Sequence, residues 1–163
     1  MAAMTAAETG LSISGAQEGE DWLDLVKNVF DTQVHPDRWN ESESCGGGLH
    51  WQISPSNAGY SYKNSASQAV LFNVASRLAR YTGNQTYADW AEKVWTWMES
   101  VGLMYEDEQG GIAIYDGAQV DSNCTSINKI RLSYTAGVFL QGAAFMYIQV
   151  RPIVAATAPL GMY

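Results

Sequence analysis

Apolar residues recur at helical spacing in four stretches of the chain. From about Glu20, Trp22, Leu25, Val26, Val29 and Phe30 fall at i, i+3, i+4, i+7 and i+8, on one face of a helix. This helix should fade by His35-Pro36, because proline disfavours helical backbone in the residue before it. A second helix is predicted from about Ser65 to Tyr81, with Leu71, Val74, Ala75 and Leu78 on its face and Arg77 and Arg80 near its C-terminal end. Gly83-Asn84 stops it. A third starts near Thr86 and carries Tyr87, Trp90, Ala91, Val94, Met98 and Val101, with Gly102 near its end. The fourth covers about Leu132 to Gln149. It is apolar nearly all round, with Gly137 and Gly142 inside, which predicts a helix buried in the middle of a bundle. Its Ser133, Thr135 and Gln141 make it a poor membrane span.

Between these stretches the chain is looped. Cys45-Gly46-Gly47-Gly48-Leu49-His50-Trp51-Gln52 cannot be a helix interior, since successive glycines are too costly in backbone entropy. Glu106 to Gly111 reads as an acidic loop, and Ile112 to Gly117 as a short extended piece and turn. Met1 to Glu8 looks like the end of a helix, and the tail from Val150 to Tyr163 has two prolines and no helical pattern. Helices joined by long loops rich in glycine and aromatic residues predict an all-α array. There is no phosphate loop, dinucleotide fingerprint, HExxH motif or nucleophile elbow.

The length of 163 residues fits one domain with a sizeable core. Nine Lys and Arg against 17 Asp and Glu give a net charge of −8, which argues against nucleic acid and against a polybasic membrane surface as partners. Only 16% of residues are charged, yet six Trp and nine Tyr are present, a balance suited to a neutral, hydroxylated ligand such as a sugar. Cys45 and Cys124 are open to one disulfide, two free thiols or half a metal site; no CxxC or Cys/His cluster accompanies them. Three N-glycosylation acceptors, at Asn40, Asn84 and Asn123, tilt the reading toward the secretory path. Met1 to Glu8 lacks the basic and apolar regions of a signal peptide, so either the protein is cytosolic or its true N-terminus lies upstream.

Each candidate for chemistry has a plainer reading. Trp51 and Gln52 could stack on and hydrogen-bond a sugar, or form a turn and a core tryptophan. Gly59-Tyr60-Ser61-Tyr62-Lys63-Asn64-Ser65 places two Tyr, a Lys and an Asn at a helix entrance, where Asn64 could be an N-cap and Lys63 a solvated charge. Tyr115-Asp116 sits in a Gly-flanked turn, where Asp commonly serves local hydrogen bonding. Glu106-Asp107-Glu108 reads as a solvated run, and His35 and His50 are isolated. Glycoside hydrolysis needs two carboxyl groups at a defined separation, and no pair stands within a recognisable motif. The residues alone give a binding surface without a catalytic engine.

Several motifs together are more specific. Cys-Gly-Gly-Gly-Leu-His-Trp-Gln-Ile (45–53), Gly-Tyr-Ser-Tyr-Lys-Asn-Ser (59–65), Arg-Leu-Ala-Arg-Tyr-Thr-Gly-Asn (77–84), Tyr-Ala-Asp-Trp-Ala-Glu-Lys (87–93), Tyr-Asp-Gly-Ala (115–118) and Asn-Cys-Thr (123–125) resemble the fungal branch of glycoside hydrolase family 76. That branch holds the mannan endo-1,6-α-mannosidases and related cell-wall biogenesis proteins. The resemblance spans residues 1–148 and implies part of an (α/α)6 barrel without a cofactor or metal. It further implies a secreted or cell-surface glycoprotein, GPI-anchored in its complete form, acting on α-1,6-linked mannan or a GPI-type glycan by hydrolysis or transfer. It places Trp51, Gln52, Tyr62, Lys63, Asn64, Tyr115 and Asp116 along the substrate cleft and bridges Cys45 to Cys124. The catalytic pair of adjacent Asp is expected upstream of Met1, so no catalytic residue is assigned within this chain, and helices are expected beyond both ends. A non-catalytic mannan-binding or wall-scaffold protein, or an inactive fragment, is the alternative. Two departures are plain: His50 stands where the family pattern has Arg, and Leu132-Ser133-Tyr134-Thr135-Ala136-Gly137 replaces Trp-Ser-Tyr-Asn-Ala-Gly. Residues 149–163 match nothing in the pattern and read as a read-through or a wrongly joined exon.

Overall fold

The computed structural model describes residues 1–13, 15 and 21–150. Among the described residues, five α-helices carry the fold: α1 Ala2–Glu8, α2 Trp22–Val34, α3 Ser65–Thr82, α4 Gln85–Ser100 and α5 Ser133–Val150. Three of them begin at a side-chain cap, which satisfies a backbone N–H left free in the first turn. The Asp21 carboxylate accepts from Asp24 N at 2.7 Å, Asn64 Oδ1 from Ser67 N at 3.2 Å, and Asn84 Oδ1 from Thr86 N at 3.0 Å. Gly83, at φ +70°, ends α3 in the left-handed conformation that glycine adopts without penalty.

α3 is the hub, packed against α1, α2, α4 and α5. Its predicted face of Leu71, Val74, Ala75 and Leu78 is buried, and so are Phe72, Asn73, Ser76 and Arg77 on its other sides. Asn73 ties it to α5, donating from Nδ2 to Val138 O at 3.2 Å and to Gln141 Oε1 at 2.9 Å. Gly142 lets the two helices approach, since a Cβ there would lie 2.7 Å from the Phe72 ring. Arg77 clamps α1 to α3: Nε meets Glu8 Oε1 at 2.9 Å and Nη2 meets Glu8 Oε2 at 2.5 Å.

Two expectations about helix faces are corrected. α5 is not enclosed in a bundle. Thr135, Val138, Phe139 and Gly142 pack inward, while Leu140 is 72% exposed and Tyr134, Tyr147 and Ile148 are also open. Uniform apolarity signals that several faces need cover; in this chain α3 covers only one. On α2, Val26 and Phe30 are buried, but Leu25 and Val29 are each 46% exposed. No helix among the described residues is long and apolar enough to cross a membrane. The tail beyond Val150 lies outside the described residues.

The helical array also carries short strands: β1 Tyr62–Asn64, β2 Met104–Glu106, β3 Ile112–Ile114, β4 Gly117–Gln119 and β5 Ile127–Asn128, of which β3 falls in the segment expected to be extended and the others do not follow from periodicity. The fold is mostly helical rather than purely all-α. β2 and β3 form an antiparallel hairpin, so Glu106 ends a strand rather than opening a loop. β1, β4 and β5 form an antiparallel sheet in that spatial order. Its register pairs Tyr62 with Gln119, Lys63 with Ala118 and Asn64 with Gly117, and then Gly117 with Asn128.

The glycine triplet serves the core. A Cβ on Gly47 would lie 2.7 Å from Trp39 Nε1, and one on Gly48 would fall inside the Trp97 ring's contact shell. The backbone of this segment therefore closely approaches two buried tryptophans. Edge-to-face contacts link Trp39 to Trp97 at 5.8 Å and to Trp90 at 5.5 Å, and Phe30 to Tyr87 at 4.9 Å, joining α2, α4 and the loop between α2 and α3. The disulfide Cys45–Cys124 holds the same loop against the turn after β4.

Candidate functional site

The small sheet sorts the predicted site residues by strand alternation. Successive side chains on β1 point to opposite faces, so Tyr62 and Lys63 cannot serve one surface. Tyr62 faces an open cleft of about 650 Å³ lined by Trp51, Gly59, Ser61, Tyr62, Asp116, Gln119 and Asn128. Its hydroxyl donates to Asp116 Oδ2 at 2.6 Å, and Asn128 Nδ2 donates to the same oxygen at 3.1 Å. Gly117 makes the reach possible, because a Cβ there would sit 2.7 Å from the Tyr62 ring and from Lys63 O. Partial burial, then the adjacent Asp116 carboxylate, pushes the Tyr62 hydroxyl up to about 12.

Asp116 is held from behind by the start of α3. Ser65 N donates to Asp116 O at 2.7 Å, and Ser65 Oγ donates to Tyr115 O at 2.5 Å. Trp51 lies across the cleft, 53% exposed, with its backbone N–H donating to Tyr62 O at 2.7 Å. The indole rests on Gly59, where a Cβ would lie 2.6 Å from the ring. The result is an aromatic face opposite a carboxylate whose Oδ2 already holds two donors. Such a pairing suits a sugar, whose C–H face stacks on the ring while hydroxyls meet the polar groups.

Lys63, Asn64, Gln52 and Tyr115 are placed elsewhere. Lys63 is neither a cleft residue nor a solvated charge: it is 0% exposed and donates from Nζ to Gly47 O at 2.6 Å and Ser44 O at 3.3 Å. Burial lowers the pKa of its ammonium, and the nearby Glu43 carboxylate acts in the opposite direction. Lys63 thus pins the glycine loop beneath the cleft. Asn64 caps α3. Gln52 is half-buried and accepts from Asn57 Nδ2 at 3.5 Å, outside the cleft wall. Tyr115, between β3 and β4, does not line the cleft; its ring lies 5.1 Å from that of Tyr105, with Lys129 and Arg131 over it at 5.7 and 5.8 Å.

His50 is buried rather than isolated. Its ring stacks on Tyr60 at 4.2 Å, Nδ1 lies 2.6 Å from Tyr60 O, and Nε2 lies 3.4 Å from Glu43 Oε2. It braces the loop that bears Trp51. Asn128, Gln119, Ser61 and Gly59 line the cleft without having been singled out. Gly59 and Ser61 lay inside a motif already noted, whereas Asn128 belongs to a two-residue strand too short to leave a pattern.

The three acceptor asparagines lie at the surface or near it. Asn40 Oδ1 accepts from Ser42 N at 3.0 Å, Asn84 caps α4, and Asn123 Oδ1 accepts from Cys45 N at 2.6 Å. No cluster of three or more His, Cys, Asp or Glu suited to a metal ion occurs among the described residues.

The chain is similar to known proteins of one family. The chain is 49% identical over 148 residues to mannan endo-1,6-alpha-mannosidase DFG5 of Candida albicans, covering 90% of this chain and 32% of that protein. It is 47% identical over 147 residues to mannan endo-1,6-alpha-mannosidase DCW1 of Saccharomyces cerevisiae, with 90% and 31% covered. The chain therefore spans about a third of the length of the curated relatives it matches. Among solved structures, Dfg5 from Chaetomium thermophilum in complex with glucosamine superposes with a TM-score of 0.81 at 46% identity, over 91% of this chain and 35% of that one. The GH76A alpha-1,6-mannanase of Salegentibacter sp. HEL1_6 shares the fold at a TM-score of 0.65 and 17% identity, with 90% and 38% covered. The family model of glycosyl hydrolase family 76 matches residues 1–149, and the chain belongs to that family.

Proposed function

We propose that the chain is part of a mannan endo-1,6-α-mannosidase, a glycosidase or transglycosidase acting on α-1,6-linked mannan or a GPI-type glycan at the fungal cell surface. The observation that carries this reading is the cleft in which Trp51 faces the Tyr62–Asp116–Asn128 hydrogen-bonded group, in a chain close in sequence to proteins of that name. Trp51 offers the stacking face. The Asp116 carboxylate accepts sugar hydroxyls through Oδ1, while Tyr62 and Asn128 hold Oδ2. Gln119 and Ser61 add polar contacts at the rim. Lys63, Asn64 and Tyr115 support these residues from outside the cleft, and Gln52 lies beside its edge.

The sequence contains no two consecutive aspartates. The catalytic pair belongs upstream of Met1, and α1, clamped to α3 by Arg77 and Glu8, carries the chain in from that direction. In this reading residues 1–148 form a segment of an (α/α)6 barrel, and the open face of α5 is a seam to its remaining helices. The complete protein is secreted or held at the wall by a GPI anchor.

Titration with α-1,6-mannotetraose, read by tryptophan fluorescence and reducing-end release, tests the assignment. The expected result is binding that depends on Trp51 and Asp116 without turnover by this chain. Binding of α-1,4-linked glucans with equal affinity overturns the substrate class.

A further inference from the structure

We propose that Asn123 is an N-glycosylation site whose occupancy is set by a race with closure of the Cys45–Cys124 disulfide. The inference rests on the proposed passage through the secretory path.

The acceptor Asn123-Cys124-Thr125 contains one of the bridged cysteines as its middle residue. In the closed structure it is folded on itself. Asn123 and Cys124 both have positive φ, 51° and 60°, and Cys124 is 1% exposed. Asn123 N donates to Val120 O at 2.8 Å, Cys124 N to Gln119 O at 3.0 Å, and Thr125 Oγ1 to Ser122 O at 2.7 Å. Asn123 Oδ1 accepts from Cys45 N, the partner cysteine's own amide, at 2.6 Å. Glycosyl transfer reads the Asn amide and the hydroxyl two residues on together, from an extended acceptor. Two successive left-handed residues around a buried, bridged cysteine prevent that presentation, so modification must precede closure.

The reactions balance separately. In transfer, Asn123 Nδ2 bonds to the anomeric carbon of a lipid-diphosphate-linked oligosaccharide, the lipid diphosphate departs, and one amide proton goes to solvent. In closure, the two thiols give two electrons and two protons to a protein disulfide of the oxidising compartment. The glycosylated product still fits the fold. Asn123 is exposed, its Oδ1 remains able to accept from Cys45 N, and Nδ2 makes no hydrogen bond among the described residues. Asn40 and Asn84 have no cysteine in their acceptor triplets and serve as internal references.

The test expresses the full chain behind a cleavable secretory leader in yeast and measures occupancy at all three asparagines by peptide mass spectrometry. Wild type, Cys45→Ser and Asn123→Gln are compared, together with wild type given a short pulse of reductant. Cys45→Ser leaves the acceptor triplet intact. The expected result is partial occupancy of Asn123 in wild type, rising severalfold in Cys45→Ser and under reductant, with Asn40 and Asn84 unchanged. Glycosylated wild-type chains should still contain the bridge. Equal Asn123 occupancy in wild type and Cys45→Ser overturns the proposal, as does its absence throughout or an equal rise at all three sites.

Discussion

The Tyr62 hydroxyl and the Asp116 carboxylate meet at 2.6 Å although 54 positions separate them. Pairing of β1 with β4 brings their backbones together, and Gly117 leaves room for the phenol to cross. Tyr62→Phe keeps the ring and removes the donor. A hydrogen bond to a charged group contributes roughly 1.5–3 kcal/mol, and the low end applies at a partly exposed site, so about 1.5 kcal/mol of stability should be lost. Urea denaturation measures it, and mannooligosaccharide affinity should fall in parallel as Asp116 loses its alignment.

The same bond gives a pH signature. The folded-state hydroxyl lies at about 12 against an ordinary value of 10.0. A group raised on folding contributes stability that is intact below its unfolded value and is lost as pH rises through the folded one. Wild type should therefore lose stability between pH 10 and 12 faster than Tyr62→Phe, in thermal melts run across that window. Identical slopes would show that Tyr62 titrates as a free phenol.

Gly117→Ala tests the route by which the two groups meet. A methyl group 2.7 Å from the Tyr62 ring and from Lys63 O must displace one of them. Overpacking of this kind costs about 1–3 kcal/mol. Sugar affinity should fall even at temperatures where the variant is fully folded, as judged by circular dichroism.

Lys63→Met separates support from contact. The stem is retained, but the carbonyls of Gly47 and Ser44 lose their donor. Leaving buried acceptors unsatisfied costs about 1–3 kcal/mol. The expected outcome is a clear drop in denaturant midpoint with nearly unchanged affinity per folded molecule. Lost affinity at unchanged stability would place Lys63 in the cleft.

How far the sequence could be read follows from the length of each signal. α3 and α4 run 18 and 16 residues, long enough for their periodicity and glycine stops to place them within a few positions. The bounds of α5 follow equally well from its pattern but its surroundings do not, because an all-round apolar sequence records how much cover a helix needs and not which neighbours supply it. The three-residue strands β1 and β4 leave no period to detect. Without them the opposite facing of Tyr62 and Lys63 was invisible, and both were assigned to one surface. Trp51 and Asp116 were named from residue type and motif; Asn128 emerged only once β5 was seen beside β4.

The most direct test of the account is a titration of the chain with α-1,6-mannotetraose, followed by NMR of the tryptophan indoles, in wild type, Trp51→Ala and Asp116→Asn. The account predicts a shift of the Trp51 indole that saturates in wild type, affinity weakened about tenfold or more in Asp116→Asn, as loss of a charge-assisted contact implies, and no binding in Trp51→Ala. Perturbation of buried Trp39 or Trp97 in place of Trp51, or equal affinity in all three proteins, would contradict it.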